Sequence, residues 1–153
     1  MADANRRLTL GETQILQSVF GNWIEYPRVR IHSERWAPVF PNDRAMAPNG
    51  EIYFPGAEYA ADFAFAPLAK RATFVHEGTH LYQWYGLRQT VWLRGPFQRN
   101  YNYALVPGRR FQDYGLEQMG MIAQHYYVLR EGGRIPLPYT LADYQALLPV
   151  APR

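Results

Sequence analysis

Between Leu68 and Tyr82, residues suited to burial recur three and four positions apart, at Leu68, Ala72, Val75, Thr79 and Tyr82, while Lys70 and Arg71 fall outside that stripe. This spacing places one face of a helix against a core. Pro67 suits the first turn, Leu68-Ala69-Lys70-Arg71-Ala72 are strong helix formers, and Gly86 supplies a stop after Tyr85. A second stretch, Asp113 to Arg130, repeats the pattern at Leu116, Met119, Ile122, Ala123 and Tyr126, with Asp113 as N-cap and Gly132-Gly133 as exit. Thr9 and Glu12 form a capping-box pair opening a helix through Phe20, closed by Gly21, and Thr140 with Asp143 announces a short final helix before Pro149. Arg28–His32 and Glu51–Phe54 lie between proline and glycine punctuation and read as two strands, with Asn49-Gly50 as a turn. An edge strand there would offer pairing to an extended peptide.

The first of the two long helices carries His76-Glu77-Gly78-Thr79-His80. A helix turns about 100° per residue, so histidines four apart stand one turn above each other on one face and reach a single ion. The glutamate beside the first histidine then falls next to the metal, where it can take a proton from bound water. The inert alternative is a pair of buried histidines bonded to neighbours, with Glu77 as a surface charge. Gly78 in mid-helix costs about 1 kcal/mol relative to alanine, which suggests close approach of another backbone or compensation by packing.

A hydrolytic zinc site needs a third protein ligand and an open position for water. The extended string HExxHxxGxxH is excluded, because Leu81-Tyr82-Gln83-Trp84-Tyr85-Gly86 has neither glycine nor histidine where it needs them. Glu117, 37 residues after His80, is the one carboxylate inside the second helix and the candidate ligand. His125 lies eight residues further along, about 12 Å away and about 80° round, too far to share the ion. Packing, or a charge partner for the helix C-terminus, is its expected role.

HExxH with a downstream glutamate in a helical Glu-Gln context resembles the gluzincin arrangement of zincin-like metallopeptidases. Leu8-Thr9-Leu10-Gly11-Glu12, Val19-Phe20-Gly21, Val29-Arg30-Ile31-His32, Met46-Ala47-Pro48-Asn49-Gly50 and Phe74-Val75-His76-Glu77-Gly78-Thr79-His80 are similar to small bacterial Vgr-related proteins, a zincin-like group associated with type VI secretion. The likeness runs from about Leu8 to Tyr127. It implies an α+β, zincin-like fold, in which a small mixed or antiparallel sheet packs on the HExxH helix and a second ligand-bearing helix. It implies Zn2+ held by His76, His80 and Glu117, with Glu77 as general base in the attack of a zinc-bound water on an amide. One departure stands out: where some gluzincins orient a zinc histidine with an acidic residue four positions after the glutamate ligand, this chain has Met121. Asp113 and Asp62 are the candidate substitutes. An oxyanion needs a further donor, and among twelve tyrosines Tyr101 and Tyr103, alternating on a short extended run, lie between the metal helices. Tyr103 is the candidate, against ordinary aromatic packing.

At 153 residues and 48% hydrophobic composition, the chain is expected to form one domain over 1–153 with a full core. It has no cysteine, so histidines and carboxylates must supply any metal site. Met1-Ala2-Asp3-Ala4-Asn5-Arg6-Arg7 lacks the apolar core of a signal peptide and no run approaches a membrane span, which predicts a cytoplasmic protein without membrane insertion. The resemblance adds a non-classical, type VI route of export. The net charge of +3 comes from scattered arginines, among them Arg6-Arg7, Arg28, Arg30, Arg94, Arg99 and Arg109-Arg110, and specifies no nucleic-acid surface. Tyr82, Trp84, Tyr85, Trp92 and Phe97 are candidates for an apolar cleft, though this aromatic density more often builds a core. His32 is expected to be a surface or core residue. Two functions remain in view: a zinc metallopeptidase acting on a protein or peptide, either as an effector or on secretion-apparatus proteins, and a non-catalytic zinc-stabilised interaction module. A non-peptide amide is a weaker third. Glu77 favours an enzyme, because a structural zinc site has no use for a carboxylate beside its metal.

Overall fold

A computed structural model describes residues 5–40, 44–89 and 100–152. Its long helices follow the apolar spacing closely. α1 (Leu10–Phe20) starts at Thr9, whose hydroxyl accepts from the Glu12 N–H at 3.1 Å while Glu12 accepts from the Thr9 N–H at 2.9 Å. α2 (Leu68–Tyr85) begins after Pro67 and ends at Gly86, and α3 (Leu116–Arg130) and α4 (Leu141–Gln145) complete the α-helices of the described residues. Asp113 does not cap α3. It sits in a 3-10 turn, Phe111–Asp113, paired with Arg110 at 2.9 Å, and Gly115 takes the cap position, its N–H donated to Gln118 Oε1 at 2.8 Å.

The sheet is smaller than the alternating residues suggested. β2 (Arg30–His32) is its centre, flanked by β1 (Arg6–Arg7), antiparallel, and β3 (Ile52–Tyr53), parallel. The sheet is therefore mixed, and the fold is a mixed α/β arrangement. The outer edge of β3 is already taken at Tyr53, which exchanges two backbone hydrogen bonds with Met46 at 3.0 and 2.7 Å. The peptide-docking edge expected there is closed at that residue.

The core lies between the sheet and the helices. Ile31 and Ile52 from the sheet, Leu16, Val19 and Phe20 from α1, Phe74, Val75 and Leu81 from α2, and Met119, Ile122 and Ala123 from α3 are all buried. Phe63 stacks on Phe74 with ring centroids 5.1 Å apart. α2 is more than amphipathic: from Phe74 to Gln83 every residue is buried, so it runs through the interior with neighbours on all sides. Gly78 makes this possible on one side, because a Cβ there would lie 2.4 Å from Leu16 Cδ2. The close partner is a side chain of α1 rather than a backbone.

Glu12 does more than cap. Fully buried, it accepts from Arg6 through both oxygens at 2.9 and 3.0 Å and from the Phe63 N–H at 2.9 Å. A buried carboxylate is tolerated only with partners of this kind. Through one side chain, β1, α1 and the 3-10 turn Phe63–Phe65 are tied together.

Candidate metal centre

α2 and α3 pack on each other more extensively than any other two elements, and their contact face carries the candidate chemistry. His76 and His80 lie one turn apart on α2, buried, with ring centroids 5.3 Å apart. Glu117, in the first turn of α3 and also buried, places Oε1 3.0 Å from Nε2 of both histidines. All three ligand atoms lie within 4.8 Å of one another. Gly120 completes the fit, since a Cβ on it would stand 2.7 Å from the His76 ring.

The outer nitrogens of the imidazoles meet glutamines, not aspartates. His76 Nδ1 lies 3.0 Å from Gln124 Oε1, and His80 Nδ1 lies 2.8 Å from Gln83 Oε1. The Gln83 amide has its orientation set by donation to the Leu116 carbonyl at 3.0 Å and to Met119 Sδ at 3.4 Å. Its oxygen therefore faces His80, so His80 Nδ1 carries the hydrogen and Nε2 presents a lone pair. Asp62 and Asp113, expected in this role, are elsewhere: Asp62 accepts from Thr9 and from the Ala64 N–H, and Asp113 is held by Arg110. Both glutamines were within reach of a helical reading, Gln83 three residues after His80 and Gln124 seven after Glu117.

This bonding tests whether the residues suit a cation. A lone pair on imidazole Nε2 and one on a carboxylate do not approach to 3.0 Å unless positive charge lies between them. A proton is one way to supply it. Burial opposes charge on His80, yet the adjoining Glu117 outweighs it and pushes the imidazole up to about 9. Burial likewise works against the Glu117 carboxylate, but the two histidines hold it well below the usual range. One proton serves one nitrogen, whereas a divalent cation takes lone pairs from His76, His80 and Glu117 together. Two imidazoles and a carboxylate are a donor set that zinc accepts.

Glu77 is buried beside this trio, and its Oε2 has no hydrogen-bond partner among the described residues. Burial raises its carboxyl above the ordinary value, with His76 and His80 pulling the other way and Glu117 adding to the rise.

Tyr103, the candidate oxyanion donor, has two partners at its hydroxyl. Its hydroxyl is engaged by His125 Nδ1 at 2.7 Å and by the Tyr144 hydroxyl at 2.6 Å. The tyrosine ring that lies near a metal-site histidine is Tyr101, 6.1 Å from His76 between centroids. Burial raises the Tyr101 phenol, and so do the nearby charges of Glu117 and Glu77, while a hydrogen bond from Arg44 opposes them. Residues 100–106 form no strand, so alternation did not sort the two tyrosines. His125 is buried, and burial together with His76 lowers its pKa. Its Nδ1 is bonded to the Tyr103 hydroxyl, and the downward direction disfavours a charged partner for the helix terminus. His32 pairs with Glu51 at 2.6 Å and stacks on Tyr53, away from the trio. Of the proposed apolar cleft, Tyr82 and Tyr85 are buried in the core and Trp84 packs against it, while Trp92 and Phe97 lie outside the described residues, as do Arg94 and Arg99.

No protein-family model matches the chain. It is 38% identical over 138 residues to the type VI secretion system spike protein VgrG2b of Pseudomonas aeruginosa, across 83% of this chain. The chain spans 13% of that protein. A solved structure titled the effector domain of Pseudomonas aeruginosa VgrG2b matches with a TM-score of 0.79 and 32% identity, covering 94% of this chain and 81% of the solved one. Among the described residues, no helix is long and apolar enough to cross a membrane.

Proposed function

The chain belongs to the family of the VgrG2b effector domain, and from there we propose that it is a zinc-dependent hydrolase of amide bonds in a protein or peptide, exported by a type VI route. In this reading the architecture is zincin-like, His76, His80 and Glu117 hold the ion, and Glu77 is the general base. The observation that carries it is Glu77 Oε2, without a hydrogen-bond partner among the described residues, beside three converging donors. Burying a carboxylate oxygen without a partner costs on the order of 1–3 kcal/mol or more, a cost expected where the group is kept for chemistry.

Bound zinc supplies Lewis acidity, lowering the pKa of water and polarising a carbonyl. The protein's own part is to place and tune the groups around it. Gln83 and Gln124 hold the imidazole rings with Nε2 turned inward. Glu77 takes the proton of the attacking water on a carboxylate oxygen and hands it to the leaving amine nitrogen.

The test is hydrolysis of fluorescently labelled casein by zinc-loaded protein, chelated protein and a Glu77→Gln variant, with zinc content measured on each. Glu77→Gln is expected to keep one zinc per chain and to lose about 10²-fold or more in turnover, the range for removal of a general base. A variant as active as the wild type would overturn the enzyme. It would favour the non-catalytic zinc-stabilised module.

A further inference from the structure

His125 lies outside the metal trio, yet its hydrogen bonds leave it one protonation state. Tyr144 is fully buried, and among the described residues its hydroxyl has one hydrogen-bond partner, the Tyr103 hydroxyl. A buried hydroxyl needs an acceptor for its hydrogen, so Tyr144 must donate to Tyr103. The Tyr103 hydrogen is then free to go only to the other neighbour, His125 Nδ1 at 2.7 Å. That nitrogen is therefore an acceptor, and the ring hydrogen sits on Nε2. Two protons on the ring would leave Nδ1 unable to accept, and the downward shift of its pKa agrees with a neutral ring.

Nε2–H has no protein partner among the described residues. The residue keeps 9% of its surface exposed, and Nε2 is not among the sealed, unpartnered side-chain atoms of the described residues, so its hydrogen is open to an outside partner. Its position is beside the metal centre on the His76 side. Gln124, the preceding residue, bonds His76 Nδ1, and the run that puts Tyr101 near the His76 ring puts Tyr103 on His125 two residues later.

We propose that His125 is a substrate-contacting hydrogen-bond donor beside His76, offering Nε2–H to a backbone carbonyl of a bound peptide, and that Tyr103 and Tyr144 are positioning residues that hold the ring in that form. The inference rests on reading the centre as an amide hydrolase. It replaces Tyr103 as a group touching substrate with the histidine that Tyr103 orients.

The tautomer can be measured without any substrate. In the zinc-loaded chain with 15N-labelled histidine rings, long-range proton–nitrogen spectra near pH 7.5 are expected to show His125 neutral and protonated at Nε2. Tyr103→Phe should convert it to a tautomer mixture with zinc content and helicity unchanged, a readout that a merely structural tyrosine would not move. Leucyl-leucine hydroxamate, a peptide analogue that seeks zinc, should shift the His125 Nε2 hydrogen. Its affinity should fall about tenfold in His125→Leu and recover in His125→Gln, which restores an N–H. An Nδ1–H or charged ring, or a hydroxamate that binds zinc without perturbing His125 and equally well in His125→Leu, overturns the proposal. A hydroxamate that leaves the zinc of the wild type untouched counts instead against the hydrolase reading, and this inference falls with it.

Discussion

Gln83 and Gln124 decide which nitrogen of each histidine is available to a metal, and they are not equivalent. Gln83 is fully buried and is held by the Leu116 carbonyl and Met119 sulfur as well as by His80. Gln124 is half-buried and bonds His76 alone among the described partners. Outer partners of metal histidines are worth about 10–100-fold in metal affinity. Gln124→Leu is therefore expected to weaken zinc binding within that range and leave folding stability nearly unchanged. Gln83→Leu should weaken zinc at least as much and also cost about 1–3 kcal/mol, because it strands the His80 N–H inside the protein and removes the side-chain donor to the Leu116 carbonyl. Competition with a chromogenic chelator measures the first effect and urea unfolding of the metal-free protein the second. Zinc affinity unchanged in both variants would mean that the imidazole tautomers are set by something else. The motif itself revealed His76, Glu77 and His80, because its chemistry is compressed into five residues. The glutamines were harder to see: an amide has no charge to betray its purpose, and only the helical register points it at a ring.

At the scale of elements, two glycines let other segments reach α2 closely. Gly78 admits Leu16 of α1, and Gly120 admits the His76 ring against α3. In an exposed helix, exchanging glycine for alanine stabilises by about 1 kcal/mol. At Gly120 the added methyl would meet ring atoms 2.7 Å away, so the ring must move or the helices must separate. Gly120→Ala is accordingly expected to lose at least about tenfold in zinc affinity, since a metal site tolerates little displacement of a ligand. Titration of the variant with zinc against the same chelator checks this, and an unchanged affinity would show that the α2–α3 contact adjusts freely. The long helices were legible because their apolar spacing extends over four or more turns. The sheet was not. β1 is two arginines held by pairing and by the buried Glu12, and no hydrophobic alternation can mark such a strand. The start of α3 was misplaced for a related reason: Asp113 is a good cap residue in isolation, but Arg110 three positions earlier offers its carboxylate a charged partner instead.

For the molecule as a whole, stability is expected to rest on two separate ties. Glu12 joins β1, α1 and the turn before α2, while the candidate metal centre would join α2 to α3 across 37 residues of chain from His80 to Glu117. Among the described residues the two share no hydrogen-bond partner, so their contributions should add. Removing one partner of a buried ion pair costs about 3–5 kcal/mol, which sets the expected loss for Glu12→Ala. Zinc at 100 times its dissociation constant stabilises by about 2.7 kcal/mol if the unfolded chain does not bind it, and in a domain of this size that raises the melting temperature by about 5–10 °C. Calorimetry of the wild type and Glu12→Ala, each with zinc and with chelator, should show the variant melting lower in both states and the zinc-dependent rise preserved. A variant that unfolds cooperatively yet gains nothing from zinc would show that the α2–α3 site depends on the Glu12 tie. That would make the knot at the start of the chain part of the machinery that assembles the metal centre.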